Sequence, residues 1–232
     1  MSSGHWQGTL TLGDSWAIWD GAVGDGECHR HFAAQAVIAP EPVRVINGNG
    51  MVVCARCVLI EPLAPHRLDP APWARLIYLE PAGRANGLLQ DLLLPVWQDQ
   101  PPPIIGAEPG RSFWTSWRAA SEWVEQPLDI RIKAVMHHID ATLSQGVVPL
   151  EESARIAGLS PDRFRHLFAE EMGLAYRRYV LWRRLRLAAA ELLAGRGATT
   201  AAHAAGFADA AHFARTLKST FGVTAGQSLL MR

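Results

Sequence analysis

The sequence contains no run of roughly 18 uncharged apolar residues, which excludes a hydrophobic membrane-spanning helix. Its start, MSSGHWQGTL, lacks the basic segment and apolar stretch of a secretory signal. Cysteine is scarce and odd in number, with Cys28, Cys54 and Cys57 alone, so a secreted disulfide framework is not expected. Net charge is also absent, 22 Lys and Arg standing against 22 Asp and Glu, which argues against indiscriminate nucleic-acid binding. The expectation is a cytoplasmic protein with no membrane partner. What is present, 49% hydrophobic and 19% charged residues over 232 positions, suffices for one large globular domain or two small ones.

The zero net charge hides an asymmetry. From Gln126 to Arg232 there are 14 Lys and Arg and 9 Asp and Glu, whereas the preceding residues hold 8 and 13. Eight of the nine tryptophans, Trp182 being the exception, lie before Gln126. A basic half joined to an acidic, Trp-rich half predicts two domains, and the basic one is the candidate for nucleic acid.

Residues 1 to about 80 read as short strands between Gly, Pro and Asp clusters, among them Ala34–Ala39, Val43–Ile46, Met51–Val53 and Val58–Ile60. Asn47-Gly48-Asn49-Gly50 is a hairpin signal, because Asn and Gly accept the positive φ such turns need. Many short strands predict a small barrel or sandwich. Past Pro81 the spacing turns helical over Gly87–Gln98 and Ser112–Val124, with the breaker Pro101-Pro102-Pro103 between them. The Phe113, Trp117, Ala120 and Val124 stripe suits packing on the barrel or a dimer interface equally.

From Leu128 every segment reads as helix. Ser160 followed by Pro161 is a strong helix start, and Gly146, Gly158, Gly173, Gly195 and Gly206 are stops. A short helix, a Gly-containing turn and a second amphipathic helix occur at 149–172 and again at 199–221, as helix-turn-helix units do. A plain helical bundle uses the same caps, so the outward faces decide. Arg163, Arg165 and His166 lie opposite Phe164, Leu167 and Phe168, and His212, Arg215 and Lys218 lie opposite Phe213 and Leu217. Such side chains can read guanine edges and hold phosphates. The linking helix adds Arg177, Arg178, Arg183, Arg184 and Arg186, and about 19 residues of helix span roughly 28 Å, near the ~34 Å of a duplex turn.

Residues 148–195, VPLEESARIAGLSPDRFRHLFAEEMGLAYRRYVLWRRLRLAAAELLAG, resemble the first reader and linker helix of AraC/XylS-type transcription regulators. Residues 198–224 resemble their second reader, with Gly206-Phe207, Phe213, Arg215, Lys218 and Gly222 at the pattern's positions. The resemblance implies a two-reader domain that binds double-stranded DNA at promoters, with RNA polymerase and a second copy of the chain as candidate partners. The sequence departs from the pattern after Thr224, where Ala225 and Gly226 follow and no Tyr-Arg appears. Ala201, Ala205 and Ala211 replace larger residues, so the second unit is expected to pack more thinly and the first reader to specify more of the operator.

The N-terminal half resembles the cupin-like sensor barrel often fused to such domains, through Cys28-His29-Arg30-His31 with Gln35, Leu59-Ile60-Glu61-Pro62, and His66. Cupins can hold a metal on such histidines, and His29, His31 and His66 are the candidate ligands for a divalent transition metal. On a strand, His29, His31 and Gln35 would share one face. Gln35 is neutral where cupin enzymes carry Glu, which favours an organic effector, with Trp16, Trp19 and Trp73 as candidate apolar walls. Cys54 and Cys57 are expected to be mostly buried.

The expected fold class is α+β: a cupin-like β-barrel over 1–81, a helical connector and candidate dimer interface over 82–126, and an all-α DNA-binding domain with two helix-turn-helix units over 127–232. The expected function is an effector-sensing, sequence-specific transcription regulator, not an enzyme. The alternative is a cupin-type metal-binding protein or enzyme with a helical appendage.

Overall fold

The computed structural model describes residues 6–81, 91–93, 101–108, 110, 112–119 and 128–223. The chain divides into two compact units, Met1–Val124 with Leu217–Arg232, and Glu125–Thr216.

In the first unit a seven-stranded sheet has the order β1-β2-β6-β3-β4-β7, with β5 paired to β3. Its strands are β1 (Gln7–Leu12), β2 (Trp16–Val23), β3 (Ala34–Asn47), β4 (Val52–Ile60), β5 (His66–Leu68), β6 (Ala71–Leu79) and β7 (Ile104–Ile105). Among the described residues only the β4–β7 pairing is parallel. The runs read separately in the sequence merge into β3 and β4, joined by the expected turn. In that turn Asn47 Oδ1 accepts from the backbone N–H of Asn49 and Met51, and Gly50 adopts φ 81°.

Pro40 and Pro42 interrupt β3 without ending it. Lacking N–H groups, they cannot serve the ladder, and the register with β4 jumps from Ile38↔Cys57 to Val43↔Ala55. The irregularity frees β3 to change neighbours: Ala34–Ile38 pair with β6, whereas Val45–Asn47 pair with β5.

The sheet buries both faces. Ile18, Ala34, Ala36, Cys57, Leu59, Ile77 and Leu79 share one face, against Trp114 and Trp117 of helix α1 (Phe113–Ala119). Phe113 and Trp117 of the expected stripe thus pack on the sheet, while Ala120 and Val124 lie outside the described residues; Trp114, outside the expected stripe, is fully buried. Glu61, at the end of β4, starts this helix: its carboxylate accepts from Ser112 Oγ at 2.5 Å and from the backbone N–H of Phe113 at 2.8 Å. These are helix-start donors that otherwise lack partners. The expected helix at Gly87–Gln98 lies outside the described residues apart from Asp91–Leu93, which are helical, and so does the end of the expected Ser112–Val124 helix.

The second unit is helical, with α2 (Ile130–Thr142), a 3-10 turn (Leu143–Gln145), α3 (Leu150–Ile156), α4 (Pro161–Met172), α5 (Tyr176–Leu193), α6 (Ala198–Ala204) and the start of α7 (Ala210–Phe221). The ends fall where the sequence signals placed them. Ser160 Oγ accepts from Arg163 N–H, Pro161 opens the helix, and Gly173 closes it at φ 65°. Phe164, Phe168, Tyr176 and Tyr179 form an aromatic core in which both tyrosines meet the phenylalanines edge-to-face. Beside it Tyr176 Oη donates to the Val148 carbonyl and pairs with the buried Ser153 hydroxyl at 2.7 Å.

Candidate nucleic-acid interface and histidine cluster

The first helix-turn-helix consists of α3 and α4. Burial of Phe164, Phe168 and Met172 turns the opposite side of α4 outward, and Arg163, Arg165 and His166 are all exposed there. Arg165 forms an exposed pair with Asp162 one turn earlier, at 2.8 Å. An exposed pair of this kind is worth at most about 1 kcal/mol, so a phosphate or base edge can displace it.

The second unit consists of α6 and α7. Of the three alanines expected to thin the packing, Ala201 and Ala205 are wholly buried, together with Ala202, whereas Ala211 is exposed. Gly206, at φ 73°, approaches the 3-10 turn too closely for any side chain. On α7, Arg215 is exposed and His212 is half-buried, edge-on to Phe207 at 5.3 Å. Lys218 is exposed and pairs with Glu27 at 2.7 Å.

The arginines of α5 divide by role. Arg183 makes two hydrogen bonds to Asp140, and Arg184 donates to the Gly146 carbonyl, so both hold helices together. Arg177 and Arg178 are exposed at the helix start, where phosphate contact is open to them.

The histidine cluster lies at the β5 side of the sheet. His29 and His31 belong to no strand; their meeting with His66 follows instead from backbone pairing. His29 and His66 exchange two N–H···O hydrogen bonds of 2.9 Å, and Leu63 N–H donates to the His31 carbonyl at 2.8 Å. Leu63 holds φ 62°, a strained value for a bulky residue, in the turn that anchors His31. The ring centroids of His29 and His66 stand 4.4 Å apart, and those of His31 and His66 5.0 Å.

Each Nδ1 lies 2.8 Å from a carbonyl oxygen two residues away: Glu27 for His29, Ala33 for His31, Ala64 for His66. Burial lowers all three pKa values, that of His31 to about 4 with a further contribution from His29. The rings are therefore neutral near pH 7. A neutral ring that donates from Nδ1 leaves a lone pair on Nε2. The three ligand nitrogens lie within 4.8 Å of one another, and the buried Nε2 of His66 has no hydrogen-bond partner among the described residues.

Gln35 closes the cluster, with Oε1 3.1 Å from His31 Nε2 and Nε2 donating to Tyr78 Oη at 3.2 Å. Tyr78 and Phe221 pack their rings near His31, at 5.1 and 5.9 Å. Neither was legible as a site residue, since both contacts span long stretches of sequence. Cross-strand register places Trp19 on the face of Gln35 and Tyr78, through Trp19↔Leu76, Val37↔Leu76 and Gln35↔Tyr78. Trp16 and Trp73 do not join them. Trp16 pairs with Leu79 and packs in the Trp114 core, and Trp73 shares the parity of Ile77 and is 40% exposed. Of the thiols, Cys28 and Cys54 are exposed, and only Cys57 is buried, its pKa raised to about 12 by burial. The expectation of mostly buried cysteines fails at Cys54, which the alternation of β4 turns outward.

The helices α3–α4 and α6–α7 are two linked helix-turn-helix units with cationic residues on their outer faces. Residues 153–229 match a family described as a helix-turn-helix domain. The transcriptional activator RhrA of Rhizobium meliloti (strain 1021) is 32% identical over 96 residues, 40% of this chain, and the match spans 30% of RhrA's length. The apo form of a ToxT point variant from Vibrio cholerae strain SCE256 superimposes with a TM-score of 0.60 at 9% identity, over 94% of this chain and 98% of that one. Wild-type ToxT of the same strain, bound to an unsaturated fatty acid, gives 0.59 at 11% identity, over 95% and 97%. At such identities the likeness concerns the fold alone. Residues 153–229 thus match a helix-turn-helix domain, and the chain as a whole shares the fold of ToxT. No helix among the described residues is long and apolar enough to cross a membrane.

Proposed function

We propose that this chain is a sequence-specific transcription regulator whose sheet-rich unit senses an effector at His29, His31, Gln35 and His66. The observation that carries the reading is the match of residues 153–229 to a helix-turn-helix domain, whose two units resemble the readers of AraC/XylS-type regulators. In it, Arg163, Arg165 and His166 of the first reader and His212 and Arg215 of the second contact base edges, while Lys218, Arg177 and Arg178 hold phosphates. Double-stranded DNA is the partner, action is in the cytoplasm, and a homodimer and a contact with RNA polymerase belong to the same reading. A catalytic role for the sheet has little support, since the Glu61 carboxylate is engaged by the start of α1 and not by the histidines.

The test is selection of bound duplexes from random DNA by the full chain. A recurrent sequence with two half-sites is expected, with affinity falling as salt rises because phosphate contacts release counterions. Failure to enrich any sequence would overturn the reading.

A further inference from the structure

Between α2 and α3, residues 143–148 cross from one reader to the other, and three of their carbonyls meet three different elements. The Leu143 carbonyl closes on Gly206, at the turn of the second reader, leaving no room there for a side chain. The Gly146 carbonyl accepts from Arg184 of the linker helix α5. The Val148 carbonyl accepts from the Tyr176 hydroxyl, whose ring sits in the core of the first reader. From Tyr176 to Arg184 the linker helix advances about 12 Å. Arg183 adds two hydrogen bonds to Asp140 near the end of α2. The segment therefore lies along α5 as a splint, tied near each reader.

Arg184 is the costly part of this arrangement. It is half-buried, its burial lowers its pKa, and its Nε has no hydrogen-bond partner among the described residues. The hydrogen bond that it gains is to a neutral carbonyl. An apolar side chain of similar volume often serves such a place as well or better, so stability alone does not account for a guanidinium here, whereas a fixed geometry does. We propose that Arg184, through residues 143–148, sets the separation and mutual rotation of the two readers and thereby the half-site spacing that the protein accepts. It is a positioning residue that acts without touching DNA, and its role rests on the regulator reading only for the consequence at the operator. One added base pair moves a half-site by roughly 3.4 Å and turns it by roughly 35° about the duplex, which a rigid pair of readers cannot follow.

The experiment titrates the full chain with its selected operator and with the same half-sites one base pair closer or farther apart. In the native protein either change should weaken binding by at least about fivefold, the cost of one mismatched base pair. Arg184→Met keeps an apolar stem and removes the guanidinium fork. It should bring the three affinities within about twofold of one another, with the preferred bases inside each half-site unchanged. If Arg184→Met does not fold, Tyr176→Phe cuts the splint at its other end and is read in the same way. A second measurement needs no DNA. Spin labels on Glu170→Cys and Ala211→Cys, both exposed positions, report the distance between readers by pulsed electron paramagnetic resonance in a Cys28→Ser/Cys54→Ser background. The distribution should be narrow with Arg184 present and broader in Arg184→Met. Equal weakening at all three spacings, or an unchanged distance distribution, would make Arg184 a packing residue and overturn the proposal. A native protein indifferent to spacing would overturn it as well. If the native chain selects no duplex at all, the regulator reading fails by itself, and the label distances still decide whether Arg184 holds the readers in place.

Discussion

Gly206 lies so close to Leu143 that a Cβ built on it would stand 2.1 Å from the Leu143 carbonyl oxygen. That oxygen belongs to backbone and cannot swing away, and φ at Gly206 is 73°, a region that L side chains occupy at a cost of about 1–2 kcal/mol. Gly206→Ala should therefore destabilise the helical unit by at least about 2 kcal/mol. For a unit of this size that corresponds to a fall in Tm of roughly 8 °C or more. Thermal unfolding followed by circular dichroism measures it, and a shift under about 2 °C would mean the turn adjusts.

Tyr176 joins the two helices of the first reader, its hydroxyl bonding Ser153 of α3 and the Val148 carbonyl while its ring packs on Phe164 and Phe168 of α4. Tyr176→Phe keeps the ring against Phe164 and Phe168 but leaves the Val148 carbonyl and the Ser153 hydroxyl, both buried, without it. Unpaired buried groups cost about 1–3 kcal/mol, so denaturant unfolding should show a loss in that range. The double variant Ser153→Ala/Tyr176→Phe should lose less than the sum of the singles, because the two hydroxyls serve each other.

The helical half was legible because its boundaries are set by local chemistry. Ser160 and Pro161 start α4, and Gly158, Gly173 and Gly206 adopt the positive φ that stops a helix, all within a few residues of the ends they govern. The sheet yielded less because its decisive features are non-local. The faces of Trp16, Trp19 and Trp73 relative to Gln35 depend on the register of β2 and β3 with β6, and only Trp19 shares that face. His29, His31 and Gln35 do come together as expected, but through the His29–His66 backbone pairing and the Leu63 turn, not through a common strand. Glu61 carried the cupin resemblance, yet its partners, Ser112 and Phe113, lie about fifty residues away in sequence and give it a structural task.

Arg165 and Arg215 are the exposed arginines at the centres of the two readers. Arg165→Ala should cost about 1–3 kcal/mol of operator affinity and relax preference at one base position. Arg215→Ala should do the same in the other half-site, with a smaller loss, since His212 beside it is half-buried against Phe207 and the remaining face is rich in alanine. Binding to a panel of single-base operator variants separates the outcomes. A uniform loss across the panel would make these arginines phosphate contacts.

Lys218 is held by Glu27, two residues before His29, while the Gly222 carbonyl accepts from Glu27 N–H at 3.1 Å. To hold a phosphate, Lys218 must leave Glu27. Both side chains are about half or more exposed, so the pair is worth no more than about 1 kcal/mol. Glu27→Gln should consequently raise the affinity of the full chain for its operator, by no more than about fivefold. Lys218→Ala should lower affinity on all sequences alike and reduce the salt slope by about one, the signature of one lost phosphate contact. In the Lys218→Ala background Glu27→Gln should have no further effect, since its only route to DNA is the lysine it releases. Equilibrium titrations of the four proteins at several salt concentrations measure the cycle. An equal gain from Glu27→Gln with and without Lys218 would show that the carboxylate acts by general repulsion of DNA and not by holding that side chain.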